Sequence, residues 1–441
     1  MNQTPENIPA IKNVLIIGYV WPEPRSSAAG SRMMEFIELF RQQQWQVTFA
    51  SAAALSEHRA DLPALGVEEQ AIAVNCDKFD RFIAGLQPDL VLFDRFFTEE
   101  QFGWRVEKIC PHALRVLDTV DLHSLRDARQ RLLKLAQQAA GSEQQKQSVG
   151  PVCASAAELY AAMAADDMAQ REIGAIYRSD LSLLISDAEL EFLQQQFAVP
   201  AGLLQHCALM SVASPHSEAG LEFAQRRHFI SIGNFRHAPN WDAVLWLKHA
   251  LWPAIRQQLP QAELHVYGAY PPPKASALHN PRQGFHVLGW ADDAHSVMAH
   301  SRVCLAPLRF GAGLKGKLAD AMLCGTPSVT TAIGTEGMCG ALPWAGAVAA
   351  DSAGFVAGAV ALYQDPAKWQ EAQQHGRDIL QHRFSRQSIA EDLLLRLQDA
   401  KKNQDSYRQQ NFTGAMLRHH LHKSTQYMSQ WIAAKNRSAD Q

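Results

Sequence analysis

The sequence predicts an α/β protein of two doubly wound domains that follow one another along the chain. Three observations predict it. Short apolar runs alternate with amphipathic segments, this rhythm restarts near the middle of the chain, and a Ser-, Pro- and Gly-containing stretch without periodicity separates the two series.

In the first series the strand-like runs are "NVLIIGY" (13–19), "QVTFAS" (46–51), "DLVLFD" (89–94), "ALRVLD" (113–118) and "LSLLIS" (181–186). Buried parallel strands have this continuous apolar character. After the first run, a helix is expected to start near Ser31, where "SRMMEFIELFRQ" sets Met34, Ile37 and Phe40 against Arg32, Glu35 and Arg41. Residues 132–171 are Ala- and Gln-rich and broken by "GSEQQKQSVGP", which predicts two helices joined by a mobile loop. The expected divisions are a first domain over 1–210, a linker over 211–227 centred on "SVASPHSEAG", and a second domain over 228–385. Within the second domain the strand-like runs are "HFISIGN" (228–234), "ELHVYG" (263–268), "FHVLGW" (285–290), "VCLAPL" (303–308) and "PSVTT" (327–331). A further helix over 386–400, with Ile389, Leu393, Leu394 and Leu397 on one face, is expected near the junction of the two lobes. Residues 401–441 read as a polar, solvated tail. Its "RHHLHK" tract holds His419, His420 and His422, but with no acid or thiol beside them it reads as solvated rather than metal-binding.

Size and composition fit this plan. The 441 residues suit two domains, and 47% hydrophobic content supplies two cores. With 41 basic against 44 acidic side chains, the formal charge of −3 argues against nucleic acid as a partner. Seven scattered cysteines, none spaced C-x-x-C, signal neither a disulfide framework nor a zinc site, so a reducing cytoplasm is expected. The apolar run Val14 to Val20 is too short for a secretory core, and nowhere do about 18 apolar residues run uninterrupted. Neither export nor a transmembrane segment is expected.

The stretch "GAGLKGKLADAMLCGTPSVTT" (311–331) carries the chemistry. It follows a strand and opens a helix, the place where open α/β sheets bind ligands. Gly311 and Gly313 let a ligand approach the backbone, the helix start offers unpaired N–H groups, and Lys315 and Lys317 add positive charge, a combination that suits a pyrophosphate. A tight turn with solvated lysines accounts for the same residues. The Walker spacing is absent.

From "SIGNFRHAPNWDAVLWLKHALWPAIRQQLPQAELHVYGAYPP" through "VLGWADDAHSVMAHSRVCLAPLRFGAGLKGKLADAMLCGTPSVTTAIGTEGM", the sequence resembles the donor-binding half of retaining glycosyltransferases of family four, whose fold is GT-B. The resemblance spans about residues 228–385 and extends more weakly to "GYVWPEPRSSAAGSRMMEF" and "VLDTVDLHSLRDARQ". It implies two Rossmann-like domains facing across a cleft, acceptor lobe first and donor lobe second. It further implies transfer of a sugar from a nucleoside diphosphate to a glycan, lipid-linked or other acceptor, with retention and without a metal or other cofactor. Peripheral contact with a membrane stays open.

Carried over by position, the resemblance puts Asp320 on the ribose hydroxyls of the nucleotide. A second family glutamate, eight positions earlier, is replaced here by Ala312. The family's diphosphate-binding Arg and Lys after the first donor-lobe strand correspond to Arg236 and to Asn240, so Lys317, with Arg309 as a further source, would supply the missing charge. His123, with Asp118 or Asp121 as its orienting partner, corresponds to a histidine facing the sugar and phosphate. Gly30, before a helix that Ser31 would cap, corresponds to a loop approaching the diphosphate from the opposite lobe, and Gly334 and Glu336 to a loop touching the donor sugar. His123, Arg236 and Lys317 are therefore the expected catalytic residues. Two alternatives remain: a nucleotide-sugar 2-epimerase of the same two-lobed plan, and a non-catalytic nucleotide-sugar-binding protein.

Overall fold

The computed structural model describes residues 11–210 and 221–439. Most of the expected linker, 211–220, lies outside them, as do the side chains of His420 and His422. In the first lobe the strands are β1 (Asn13–Gly18), β2 (Gln46–Ser51), β3 (Glu68–Ala71), β4 (Leu90–Asp94), β5 (Leu114–Asp118), β6 (Leu181–Leu184) and β7 (Leu204–His206). The second lobe contains β8 (Arg227–Ile232), β9 (Leu264–Tyr267), β10 (Phe285–Gly289), β11 (Ser301–Ala306), β12 (Ser328–Thr331) and β13 (Gly346–Ala349). Each lobe holds one parallel sheet, in the orders β3-β2-β1-β4-β5-β6-β7 and β10-β9-β8-β11-β12-β13. Both orders reverse direction once, between β1 and β4 and between β8 and β11. Such a reversal opens a crevice beyond the carboxyl ends of the strands.

The apolar runs form the central strands because helices cover both faces of each sheet. Along β1, Leu15 and Ile17 enter one core with Val91 and Phe93, while Val14 and Ile16 enter another with Phe36, Ile37 and Leu90. Burial of each such side chain contributes roughly 1.5–3 kcal/mol. A third core, built on Phe229, Leu264, Val303 and Val329, fills the second lobe with Trp246 and Trp252.

Three local expectations are corrected. The first helix is Ala28–Gln42, and Ser27, not Ser31, caps it by accepting from the Gly30 N–H. Ser31 lies inside the helix and its hydroxyl donates to the Pro24 carbonyl at 2.9 Å. Residues 132–171 hold more than two helices, for Glu143–Ser148 and Ala156–Ala164 lie between the end of His123–Ala139 and the start of Asp167–Arg178. Residues 402–439 are not a solvated tail: beyond the expected helix, found as Arg386–Lys402, two more helices dock on the first lobe. Helix Arg386–Lys402 seats Leu393 and Leu397 in the first-lobe core. Lys401 donates to the carbonyls of Asp89 at 3.1 Å and His112 at 2.6 Å, and Arg408 pairs with buried Asp180 at 2.7 Å. Helix Phe412–Ala439 continues along Asp167–Arg178, with Arg418 on Glu107 at 3.0 Å and Ser429 on Asn75 at 2.6 Å.

Candidate active site in the interlobe cleft

The carboxyl ends of the two sheets face each other, and loops from both meet there. The Gly-rich loop after β11 is one of them. Gly313 adopts φ +61°, and a Cβ on it would stand 2.7 Å from the Asp121 Cβ of the first lobe. Only glycine tolerates both the left-handed backbone and this approach. Its N–H donates to Glu189 of the first lobe at 2.6 Å, and the same carboxylate oxygen accepts from the Leu122 N–H at 3.1 Å. Ala312 is buried among first-lobe side chains such as Leu122 and Leu125. The methyl group at 312 thus serves the contact between lobes, where a glutamate would have to be buried.

On the first-lobe wall, the turn after β5 presents Asp121 and His123. The His123 Nε2 lies 3.3 Å from Asp121 Oδ1, and Arg126 pairs with the other Asp121 oxygen. Asp118 is not the orienting partner: Arg32 holds it in a buried pair at 2.9 Å. Burial pulls the His123 imidazole down to about 3 against the attraction of Asp121, so the ring is neutral at pH 7. For Asp121, burial pushes upward, but Arg126, His123 and His237 outweigh it and hold the carboxyl well below the ordinary carboxylate range.

Opposite this wall, Lys317 sits in the first turn of helix Gly316–Leu323 and donates to Asn240 Oδ1 at 2.7 Å. Asn240 in turn donates to the Asn234 carbonyl at 3.0 Å, tying helix and β8 loop together. Where the resemblance expected a lysine, an amide therefore holds Lys317 in place. Burial pulls the Lys317 ammonium down to about 8. His237 connects the two walls: it feels Asp121, Arg126 and Arg95 from the first lobe and Lys317 from the second, and it also acts on His123. Its ring keeps contact with solvent yet stands among protein atoms of both lobes, and desolvation with the nearby cations draws it down to about 4. The structure thus links His123 and Lys317 through His237, which acts on the one and feels the other. Sequence reasoning passed over His237, although it adjoins Arg236 in the quoted "GNFRHAPN".

Arg236 belongs to a second group. It is exposed, and its guanidinium lies 3.7 Å from the centroid of the Tyr270 ring. The Tyr270 hydroxyl donates to Glu23 of the first-lobe loop after β1 at 2.8 Å. That loop also explains Gly30, where a Cβ would stand 2.3 Å from the Glu23 carbonyl oxygen. Gly30 therefore serves the folding of its own loop.

Lys315, Gly311 and Glu336 form a third group, held from across the cleft by Arg129. This arginine donates to Glu336 at 2.6 and 2.9 Å and to the Gly311 carbonyl at 2.8 Å. Burial would raise the Glu336 carboxyl, but Arg129 and Lys315 bring it below its ordinary value. Lys315 is buried and donates to the Gly313 carbonyl, so its charge is directed into the loop; burial lowers its pKa against the opposing pull of Glu336. Gly334 is buried in the short helix Ala332–Thr335. Arg309 is not a free cation, for Asp242 holds it at 2.6 and 2.8 Å.

Asp320 lies one turn beyond Lys317 on helix Gly316–Leu323. Its carboxyl is 44% exposed and meets His295, itself 61% exposed, at 3.5 Å. That excludes a buried structural ion pair and leaves the carboxylate open to hydroxyl donors. The hydrogen bond to Asp320 raises the His295 pKa.

Comparisons with known proteins agree with this architecture. Residues 226–365 match the family described as Glycosyl transferases group 1, a segment containing the β8 loop, the Gly-rich loop and Asp320. No curated protein sequence matches the chain. Among solved structures, sucrose-phosphate synthase from Thermosynechococcus elongatus superposes with a TM-score of 0.59 at 15% identity, covering 88% of this chain and 99% of that one. HepE of Anabaena, in complex with UDP and glucose, gives 0.59 at 14% identity over 88% and 99%. WaaG, a glycosyltransferase involved in lipopolysaccharide biosynthesis, gives 0.54 at 11% identity over 86% and 98%. No helix among the described residues is long and apolar enough to cross a membrane. The chain is built on the GT-B fold, and its second lobe carries the sequence pattern of group 1 glycosyl transferases.

Proposed function

We propose that the protein transfers a sugar from a nucleoside diphosphate to an acceptor hydroxyl, with retention at the anomeric carbon and without a catalytic metal. The observation that carries this reading is the site at the switch point of the second sheet. There Lys317, oriented by Asn240, lies inside the segment that matches the glycosyl transferase family, and His237 of the same segment feels both Lys317 and the first-lobe Asp121. The neighbouring structure of HepE in complex with UDP-glucose supports the donor class.

In this reading the β-phosphate gains negative charge as the glycosidic bond breaks, and Lys317 and Arg236 meet it. Preorganised donors lower such a barrier by several kcal/mol, about 10²–10³-fold in rate for a donor that is shielded from water as Lys317 is. Neutral His123 offers a hydrogen bond to the sugar or phosphate without adding a charge. Asp320, open to solvent, receives the ribose hydroxyls. Arg129 and Glu336 hold the Gly-rich loop against the first lobe so that both walls reach the donor.

A thermal-shift screen of nucleoside diphosphates and their sugars tests the donor site. A ligand at a hundred times its Kd stabilises the folded chain by about 2.7 kcal/mol. Stabilisation by a diphosphate and its sugar, but not by the free sugar, is expected. A chain indifferent to every nucleoside diphosphate would refute the proposal. Donor consumed without acceptor and recovered as its C2 epimer would replace it with the epimerase reading.

A further inference from the structure

The second lobe carries a histidine cluster at the amino ends of its strands, the end opposite the cleft. His228 is the second residue of β8, Glu263 directly precedes β9, His265 lies in β9 and His286 in β10. Parallel register sets His286 beside His265, and the N–H of Phe229 donates to the Glu263 carbonyl at 2.8 Å. Three imidazoles consequently surround one carboxylate oxygen. Glu263 Oε2 is 3.1 Å from His265 Nε2, 3.6 Å from His228 Nδ1 and 3.7 Å from His286 Nε2.

These separations have a chemical meaning. A tetrahedral ion with ligands at roughly 2.0–2.1 Å sets neighbouring ligand atoms about 3.3 Å apart. The observed distances bracket that value, and the ligand atoms of His228, Glu263 and His265 all lie within 4.8 Å of one another. Two of the nitrogens, His228 Nδ1 and His286 Nε2, are shut off from water without any hydrogen-bond partner. Buried nitrogens are rarely left so. The backbone of His228 is also held at φ +61°, a conformation costly for a residue with a side chain. The rings of His228 and His265 stack at 4.6 Å, and His265 meets His286 at 5.4 Å.

We propose that His228, Glu263 and His265, with His286 beside them, form a binding site for a divalent transition-metal ion of the zinc class. Imidazole and carboxylate ligands suit zinc, and the partial exposure of all three core ligands gives the ion a way in. The site is remote from the cleft. Its ion would clamp the edge of the sheet, joining β8 and β9 and, through His286, the edge strand β10. This inference does not depend on the proposed transferase activity.

The test uses the full chain without an affinity tag, freed of metal and titrated with cobalt(II) as a spectroscopic probe. One equivalent should produce the visible absorption of four-coordinate cobalt, one equivalent of zinc should displace it, and zinc should raise the melting temperature. His228→Gln and Glu263→Gln, both at part-exposed positions, should each weaken uptake at least tenfold, and His265→Ala should abolish it. Absence of stoichiometric uptake would overturn the proposal. So would uptake unchanged in the His228 and Glu263 variants, which would place the ion elsewhere, for example on the "RHHLHK" tract.

Discussion

Lys317 allows the diphosphate-binding role to be tested by pH alone. Burial lowers its pKa from 10.5 to about 8. A shift of this size means that holding the charge in the cleft costs about 3 kcal/mol. The sign follows directly: the charged lysine destabilises the fold at neutral pH, and that cost disappears as pH rises from 8 toward 10.5. A diphosphate reverses the balance by giving the ammonium an opposite charge. Binding should therefore take up a proton above pH 8, with affinity flat below that value and falling about tenfold per pH unit above it. Isothermal titration of a nucleoside diphosphate from pH 7 to 9.5, in buffers of different ionisation enthalpy, measures both the slope and the proton. Lys317→Arg keeps the charge throughout this range and should remove the slope, while Lys317→Met should weaken binding at pH 7 and leave it pH-independent. Constant affinity up to pH 9.5 in the native protein, or an unchanged slope in Lys317→Arg, would refute the reasoning.

Other expectations concern single contacts. Asp320→Asn should lower donor affinity about tenfold, since a charge-assisted hydrogen bond is worth roughly 1.5–3 kcal/mol against about 1 for a neutral one. Its melting temperature should barely change, because the carboxyl is exposed; a large drop with intact affinity would make Asp320 structural. Arg129→Met removes the hold on Glu336 and on the Gly311 carbonyl, so KM for the donor should rise severalfold, with a larger radius of gyration by small-angle scattering; no change in either would deny Arg129 a role in closure. Arg309→Leu leaves Asp242 unpaired and should cost about 3–5 kcal/mol in urea unfolding. Glu172 is raised to about 7 by burial, so the folded state holds a proton that the unfolded state releases near 4.5. Stability should decline between pH 5 and 7, and Glu172→Gln should flatten that decline in a thermal-melt series.

The central strands were legible because strands buried on both faces are continuous apolar runs. Three strands were not. β3 reads Glu-Glu-Gln-Ala, β7 is only Leu-Gln-His, and β13 is Gly-Ala-Val-Ala; all three are sheet edges, where one side is open and the apolar signal fades. The helix over 386–400 was legible from Leu393 and Leu397, but the two helices after it escaped for a different reason. Much of their docking is polar, through Arg408 and Arg418 reaching carbonyls and carboxylates of the first lobe, and hydrophobic periodicity does not register such anchors. In the site, glycines and lysines beside a strand end were visible as a local pattern. Pairs such as Arg129 and Glu336, 207 residues apart, arise only when two lobes fold against each other. Arg309 is paired within its own lobe, but its partner Asp242 lies 67 residues away, beyond the reach of local pattern.

The central claim is transfer with retention and no catalytic metal. Proton NMR of a reaction containing a nucleoside diphosphate sugar, an acceptor panel and excess EDTA tests it most directly, because the coupling constant of the first-formed anomeric proton reports configuration. The account predicts a glycoside with the donor's configuration, formed at an undiminished rate in chelator. A product of inverted configuration, or activity abolished by EDTA and restored by magnesium or manganese, would contradict it.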